Sequence, residues 1–455
     1  MTQRKPPTLS LKRLGRRNVE ADFEGGRLTS DAGLLLLRQA DSRLGLLDAV
    51  QAAIPDPRDP LRITHPQRAM LAQRILALAA GYEDENDHQQ LRFDPALQAA
   101  AEQEPAEDEP LASPPTLCRL ENRITRQTLV RLQEVLVEQF LDSHDQPPEQ
   151  VILDFDATDD PLHGNQEGRF FHGYYRGYCY LPLYVFCGRQ PLAAYLRPSN
   201  IDAAKHARAV LWLLVQKLRS RWPETRIILR ADGGFCRWRL LRLCDRLGVK
   251  YIVGLAKNAR LKVLAADLQR QAQTDYEASQ EKQRRFTWLR YAAGTWDRPR
   301  WVIAKAEHSA QGENPRFVVT NLFDDWVAAG VEASPAISPQ RVYDQQYCAR
   351  GEMENRIKEQ QLYLFADRTS CSRLLANQFR LLLSTFAYVL LEGVRRLGLS
   401  GTEWADVRVD TLRLKLIKIA ARVRITARRV IYHLASCCPY QAIFRHALAR
   451  FANTS

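Results

Sequence analysis

Residues 151–156 read Val-Ile-Leu-Asp-Phe-Asp. Apolar and acidic residues alternate, which is the period of a β-strand. Asp154 and Asp156 then share one face, and Leu153 and Phe155 share the other. Pro148, just before, marks the change from a helical pattern. Downstream, residues 178–187 and 190–197 have the composition of two more strands. A helix is expected over 203–222, a short apolar strand over 226–231, a helix over 237–247 and a strand over 251–255. Three strands followed by alternating helix and strand predict an α/β chain with a mixed sheet. Asp232 closes the strand Ile-Ile-Leu-Arg-Ala-Asp, and Gly233-Gly234 lets the backbone turn sharply there.

Working outward, the pattern predicts a mostly helical region over 1–147. The acidic stretch Glu102 to Glu109, beside Pro105 and Pro110, reads as an exposed linker inside it. Ser113-Pro114 opens a helix, and a second is expected from Thr125 to Phe140. With Arg119, Arg123 and Arg126 near their junction, the pair fits either a helix-turn-helix or two simply packed helices. Residues 148–259 form the first part of the α/β domain. A β-rich insertion is expected over 260–335, then helices over 336–400 that return to the α/β domain. A basic helical region is expected over 401–455. Between Arg408 and Arg429 there are eight bases against one acid, Asp410.

Lys and Arg number 65 and Asp and Glu 52, a net charge of +13 over 455 residues. Clustered positive charge predicts a polyanionic partner. The first residues carry Arg4, Lys5, Lys12, Arg13, Arg16 and Arg17 with no acid, a basic arm that is either a solvated tail or a phosphate contact. Nine cysteines without a CxxC pair argue against a disulfide scaffold or a zinc ribbon. The opening residues lack the apolar core of a secretory signal. The longest near-apolar run, Leu381–Leu391, is too short for a bilayer, so a cytoplasmic, nucleoid-associated protein is expected. No phosphate-binding glycine loop and no strand-elbow serine occurs, which argues against nucleotide-driven or serine-hydrolase chemistry.

Three acids are the candidates for chemistry, though a strand-end aspartate before glycine is also a common turn residue and a helix glutamate a common surface charge. Asp156 and Asp232 sit at strand ends, where open α/β sheets place their sites. Glu354 lies in a helix, within Tyr-Cys-Ala-Arg-Gly-Glu-Met-Glu-Asn-Arg-Ile-Lys. On an ideal helix Tyr347, Arg350, Glu354, Lys358 and Gln361 share a face. A polar stripe of this kind is either solvated or turned towards a charged substrate. Two strand-end aspartates and one helix glutamate suit a pair of Mg²⁺ ions, which take oxygen ligands.

The segments Leu-Thr-Ser-Asp-Ala-Gly (28–33), Leu-Ala-Ser-Pro-Pro-Thr-Leu (111–117), Leu-Asp-Phe-Asp-Ala-Thr (153–158), Leu-Arg-Ala-Asp-Gly-Gly (229–234), Phe-Val-Val-Thr-Asn-Leu (317–322) and Tyr347-x2-Arg350-x3-Glu354 occur in this order. The chain resembles bacterial insertion-sequence transposases with an Asp-Asp-Glu site, in detail the thirteen-eighty insertion-sequence family, a branch of the insertion-sequence-four group. The resemblance covers most of the chain. It implies a ribonuclease-H-like catalytic domain with Asp156, Asp232 and Glu354 as catalytic and metal-binding residues. It implies two Mg²⁺ ions, with Mn²⁺ as a substitute, and a homodimer on paired DNA ends and target DNA. The family's usual lysine seven residues after the glutamate is Gln361 here. Tyr347, Arg350 and Lys358 become DNA-contact candidates, Trp296 an aromatic wedge, and Arg119 and Arg123 readers of the element ends. A metal-dependent nuclease without strand joining, or an inactive DNA-binding relic, are the alternatives.

Overall fold

In the computed structural model, residues 8–105, 109–322, 324 and 338–453 are described. Arg4 and Lys5 of the basic arm, and Glu107 and Asp108 of the acidic stretch, lie outside them. The chain divides into two compact units. One is residues 122–385, and the other joins residues 1–121 to 386–455.

The central unit is built on a large mixed sheet. Its strands are β1 (Gln150–Ala157), β2 (Leu183–Cys187), β3 (Gln190–Tyr195), β4 (Arg226–Ala231), β5 (Lys250–Leu255), β6 (Gln283–Tyr291), β7 (Arg300–Ser309) and β8 (Arg316–Thr320). The spatial order is β6-β7-β8-β5-β4-β1-β2-β3, with the short strand Gly312–Glu313 pairing on β7. β4 runs parallel to both β1 and β5, and the remaining neighbours are antiparallel. The pleat sorts the side chains as their alternation requires. Leu153, Phe155, Ile227, Leu229 and Ala231 join the core on one face. That core includes side chains from helices α1 (Arg126–Asp142), α2 (Ala207–Arg221) and α3 (Trp238–Leu247). On the other face Ile228, Ile252, Ile303 and Val318 meet Val342 and Tyr343.

Segment 260–335 carries β-strands, as expected, together with helices. It opens with helices Ala259–Leu264 and Ala266–Ser279, and its strands β6–β8 extend the main sheet beyond β5. Val302, Ile303, Ala304, Val318 and Val319 are buried because that sheet is covered on both faces. The second helix of the pair expected at 113–140 is described by its packing. α1 is a core helix, burying Leu132, Leu136, Phe140 and Leu141, and its Gln133 donates to the Ala194 carbonyl and accepts from the Ala194 amide.

One expectation is corrected, that for the C-terminal region in the other unit. Residues 401–455 are not all helical. Ala421–Thr426 and Arg429–Leu434 form a hairpin that pairs with Leu28–Thr29. In Ala-Arg-Val-Arg-Ile-Thr the apolar residues alternate with polar ones, which suits a strand with one covered face. Near the start of the chain, Leu9–Leu14 and Arg17–Ala21 form an exposed basic hairpin. The helix Gln67–Ala80 is buried at every position but Arg68. Its Arg74 pairs with Glu121 at 2.8 Å and stands 3.2 Å from His88 Nε2. The apolar run Leu381–Leu391 lies in a helix that continues from Leu374 to Gly398. By length and composition it is apolar enough to cross a membrane, and 78% of that window is buried inside the protein.

Candidate active site

Asp156 and Asp232 come together because β1 and β4 are adjacent and parallel. The last pair in their ladder is Phe155 with Ala231, so the two aspartates follow one step later at the same sheet edge. Asp232 also caps the turn after β4, its Oδ1 accepting from the Gly234 amide at 2.9 Å. Glu354 arrives on α4 (Gly351–Lys358), which packs near β1. Arg350 joins the set. Its Nη1 stands 3.8 Å from Asp156 Oδ2 and its Nη2 stands 2.9 Å from Glu354 Oε1. Burial pushes the Asp156 carboxyl up to about 7, with Asp232 and Glu354 adding to the rise and Arg350 opposing it.

Asp154 has a different neighbourhood. It lies on the same face of β1 but is buried, and Arg230 grips it from β4 with two hydrogen bonds of 2.5 and 2.7 Å. The third arm of Arg230 donates to the Gln346 carbonyl at 2.6 Å, in the segment leading to α4. The Asp154–Arg230 pair thus fastens the Glu354 segment to the sheet. The sequence reading missed Arg230. The signal for it was present, since a base and an acid at facing positions of two strands must pair if both are buried.

Tyr347 is half-buried, tilted against Tyr343 with ring centroids 5.5 Å apart. A Cβ built on Gly254 would stand 2.6 Å from its hydroxyl and 2.8 Å from the Gly233 nitrogen. Gly254 is therefore the residue that lets Tyr347 and the Asp232 turn close on β5. Lys358 is exposed and pairs with no acid among the described residues. Gln361 departs from the predicted stripe. The helix widens to a π turn over Glu359–Tyr363, and Gln361 donates to the buried Asp160 at 2.8 Å and to the Asp159 carbonyl at 3.0 Å. Trp296 is not brought to the acids. It packs edge-on to Tyr291, centroids 5.5 Å apart, against the helix-side core. Arg119 is exposed on the helix Pro114–Asn122 and donates to Thr116, while Arg123 is half-buried at the start of the central unit.

Three carboxylates offer the hard oxygen ligands that a divalent cation prefers. Among the described residues, however, no three His, Cys, Asp or Glu side chains gather tightly enough to hold an ion as they stand. The electrostatics still fit one. A buried carboxyl raised by burial and by two like charges is relieved when positive charge joins it. Arg350 supplies part of that charge between Asp156 and Glu354.

Two aspartates thus stand at the ends of adjacent parallel strands, with Arg350 between Asp156 and the helix glutamate. A family model described as Transposase DDE domain group 1 matches residues 11–455. The chain belongs to that family and is a DDE transposase. Comparison with curated proteins finds no match.

Proposed function

We propose that this transposase cuts DNA at the terminal inverted repeats of an insertion sequence and joins the ends to target DNA, a cut-and-paste route. Asp156, Asp232 and Glu354 are its catalytic carboxylates. The observation that carries this is their convergence at one sheet edge, with Arg350 linking Asp156 to Glu354. The order β3-β2-β1-β4-β5, with only β4 and β5 parallel to β1, supports a ribonuclease-H-like core. The motif order supports membership of the thirteen-eighty insertion-sequence branch.

The three carboxylates would hold Mg²⁺, with Mn²⁺ as a substitute. When bound, such ions would supply the activation of a water or 3′-hydroxyl and the stabilisation of the leaving oxygen. The chain's own residues position and neutralise. Arg350 and Lys358 hold phosphates, since a guanidinium and an ammonium can each pair with phosphate oxygens. Asp154 and Arg230 fix the segment that carries them. Arg119 and Arg123 are candidates for contacts to the element ends. In the C-terminal hairpin Arg422, Arg424, Arg428 and Arg429 are exposed, and they replace the expected helices as a DNA-facing surface. A homodimer on paired ends completes the reading.

The test is product analysis with a DNA fragment carrying the gene and its native flanks, in Mg²⁺, with a target plasmid. The reading expects breaks at both flanks and joined products. Breaks without joined products would instead favour a nuclease. Binding without breaks would favour a relic.

A further inference from the structure

The central unit carries an aromatic surface that the proposed chemistry leaves unused. After β1 the chain passes through Asp160–Pro161 into a small separate sheet with Phe170–His172 and Gly177–Tyr180. The root of this hairpin is fixed. Asp160 pairs with Tyr180, the Tyr180 hydroxyl donates to the Glu167 carbonyl at 2.6 Å, and Glu167 Oε2 accepts from the Leu374 amide at 3.0 Å. The rest stands out in solvent. Phe171 is 59% exposed, Tyr174 84% and Tyr178 47%. Phe171 and Tyr178 face each other across the ladder, edge to face, and the Arg169 guanidinium lies 4.5 Å over the Tyr178 ring. Tyr174 meets Tyr175 edge-on at the tip.

Folding alone gives no reason to leave such rings in water, because their burial would stabilise the chain. Exposed rings with a guanidinium over one of them, on the segment that leaves Asp156, match the chemistry of nucleobases and phosphates. We propose that this hairpin is a stacking platform for unpaired nucleotides of the DNA beside the cut, Phe171, Tyr174 and Tyr178 taking base faces and Arg176, exposed in the turn before Gly177, an adjoining phosphate. The proposal rests on the reading that Asp156 marks the place of cutting.

The experiment compares the full chain with its Phe171→Ala/Tyr174→Ala variant. The probes are a blunt duplex and the same duplex with a short 3′ overhang containing 2-aminopurine. The wild type is expected to prefer the overhang probe and to change its fluorescence. The variant is expected to lose about 30-fold or more in affinity for that probe, the lower bound for two lost base stacks, and nothing for the blunt duplex. Both rings are exposed, so the fold survives, and Phe171→Trp/Tyr174→Phe is expected to restore overhang binding. Equal overhang affinity in wild type and alanine variant overturns the proposal. A change of association state by sedimentation, with overhang binding intact, also overturns it and assigns the surface to a second copy. Asp232→Asn measured beside them separates the two readings. Cleavage retained there breaks the active-site assignment, while the overhang comparison still stands.

Discussion

Asp154 and Asp156 stand on one face of one strand, and their neighbours separate them. Asp154 is neutralised by a two-pronged arginine, whereas Asp156 faces two other acids and an arginine 3.8 Å away. Removing one partner of a buried pair leaves an uncompensated charge. Arg230→Ala is therefore expected to cost about 3–5 kcal/mol in chemical denaturation, and Asp154→Leu/Arg230→Met to recover most of it. His88 gives a pH prediction at the same scale. Burial, with Arg74 beside it, lowers its pKa to about 3. The unfolded chain takes up this proton near pH 6.5, so the folded state loses stability as pH falls from 6.5 towards 3. Stability is complete above 6.5. Between pH 7 and 5 the loss amounts to about 2 kcal/mol. Denaturation midpoints at the two pH values check this, and His88→Gln is expected to flatten the difference.

At the scale of elements, the site depends on how closely the Tyr347 segment lies on β5. A methyl group at position 254 would collide with the Gly233 backbone as well as with the Tyr347 hydroxyl. Gly254→Ala is thus expected to displace the Asp232 turn and lower cleavage by about 10²-fold, with DNA affinity held. A single-turnover assay beside a binding titration checks both parts. The sheet and its two strand-end aspartates were legible because alternation and glycine turns are local signals. The partners of β6–β8 were not, since pairing with a sheet that begins a hundred residues earlier leaves no local trace. The hairpin at 421–434 was misread because its arginines drew attention to charge, while the signal lay in Ala421, Val423 and Ile425 alternating with them. Gln361 was misplaced because an ideal helix was assumed across a π turn.

At the scale of the whole chain, its two ends fold together into one unit. Leu28–Thr29 pairs with Ala421–Thr426, and the Ala32 and Gly33 amides donate to the carbonyls of Ile419 and Ile417. Composition and spacing could not reveal this, because both partners read as ordinary ends of a basic chain. A Cβ at Gly33 would stand 1.9 Å from the Leu416 carbonyl oxygen, which is backbone and cannot swing away. Gly33→Ala is expected to destabilise this unit by about 3 kcal/mol or more. Thermal melting with limited proteolysis would show it as early cutting near both termini.

The proposed cleavage requires Asp156, Asp232 and Glu354 to act together. The direct measurement is single-turnover cleavage of flank-bearing DNA in Mg²⁺ by Asp156→Asn, Asp232→Asn and Glu354→Gln, with DNA affinity measured on the same samples. Each variant is predicted to lose about 10²–10³-fold or more in cleavage, the scale for losing one electrostatic element of a transition-state clamp, while binding DNA as the wild type does. Cleavage retained by any of the three, or wild-type cleavage that persists in a chelator, would contradict it.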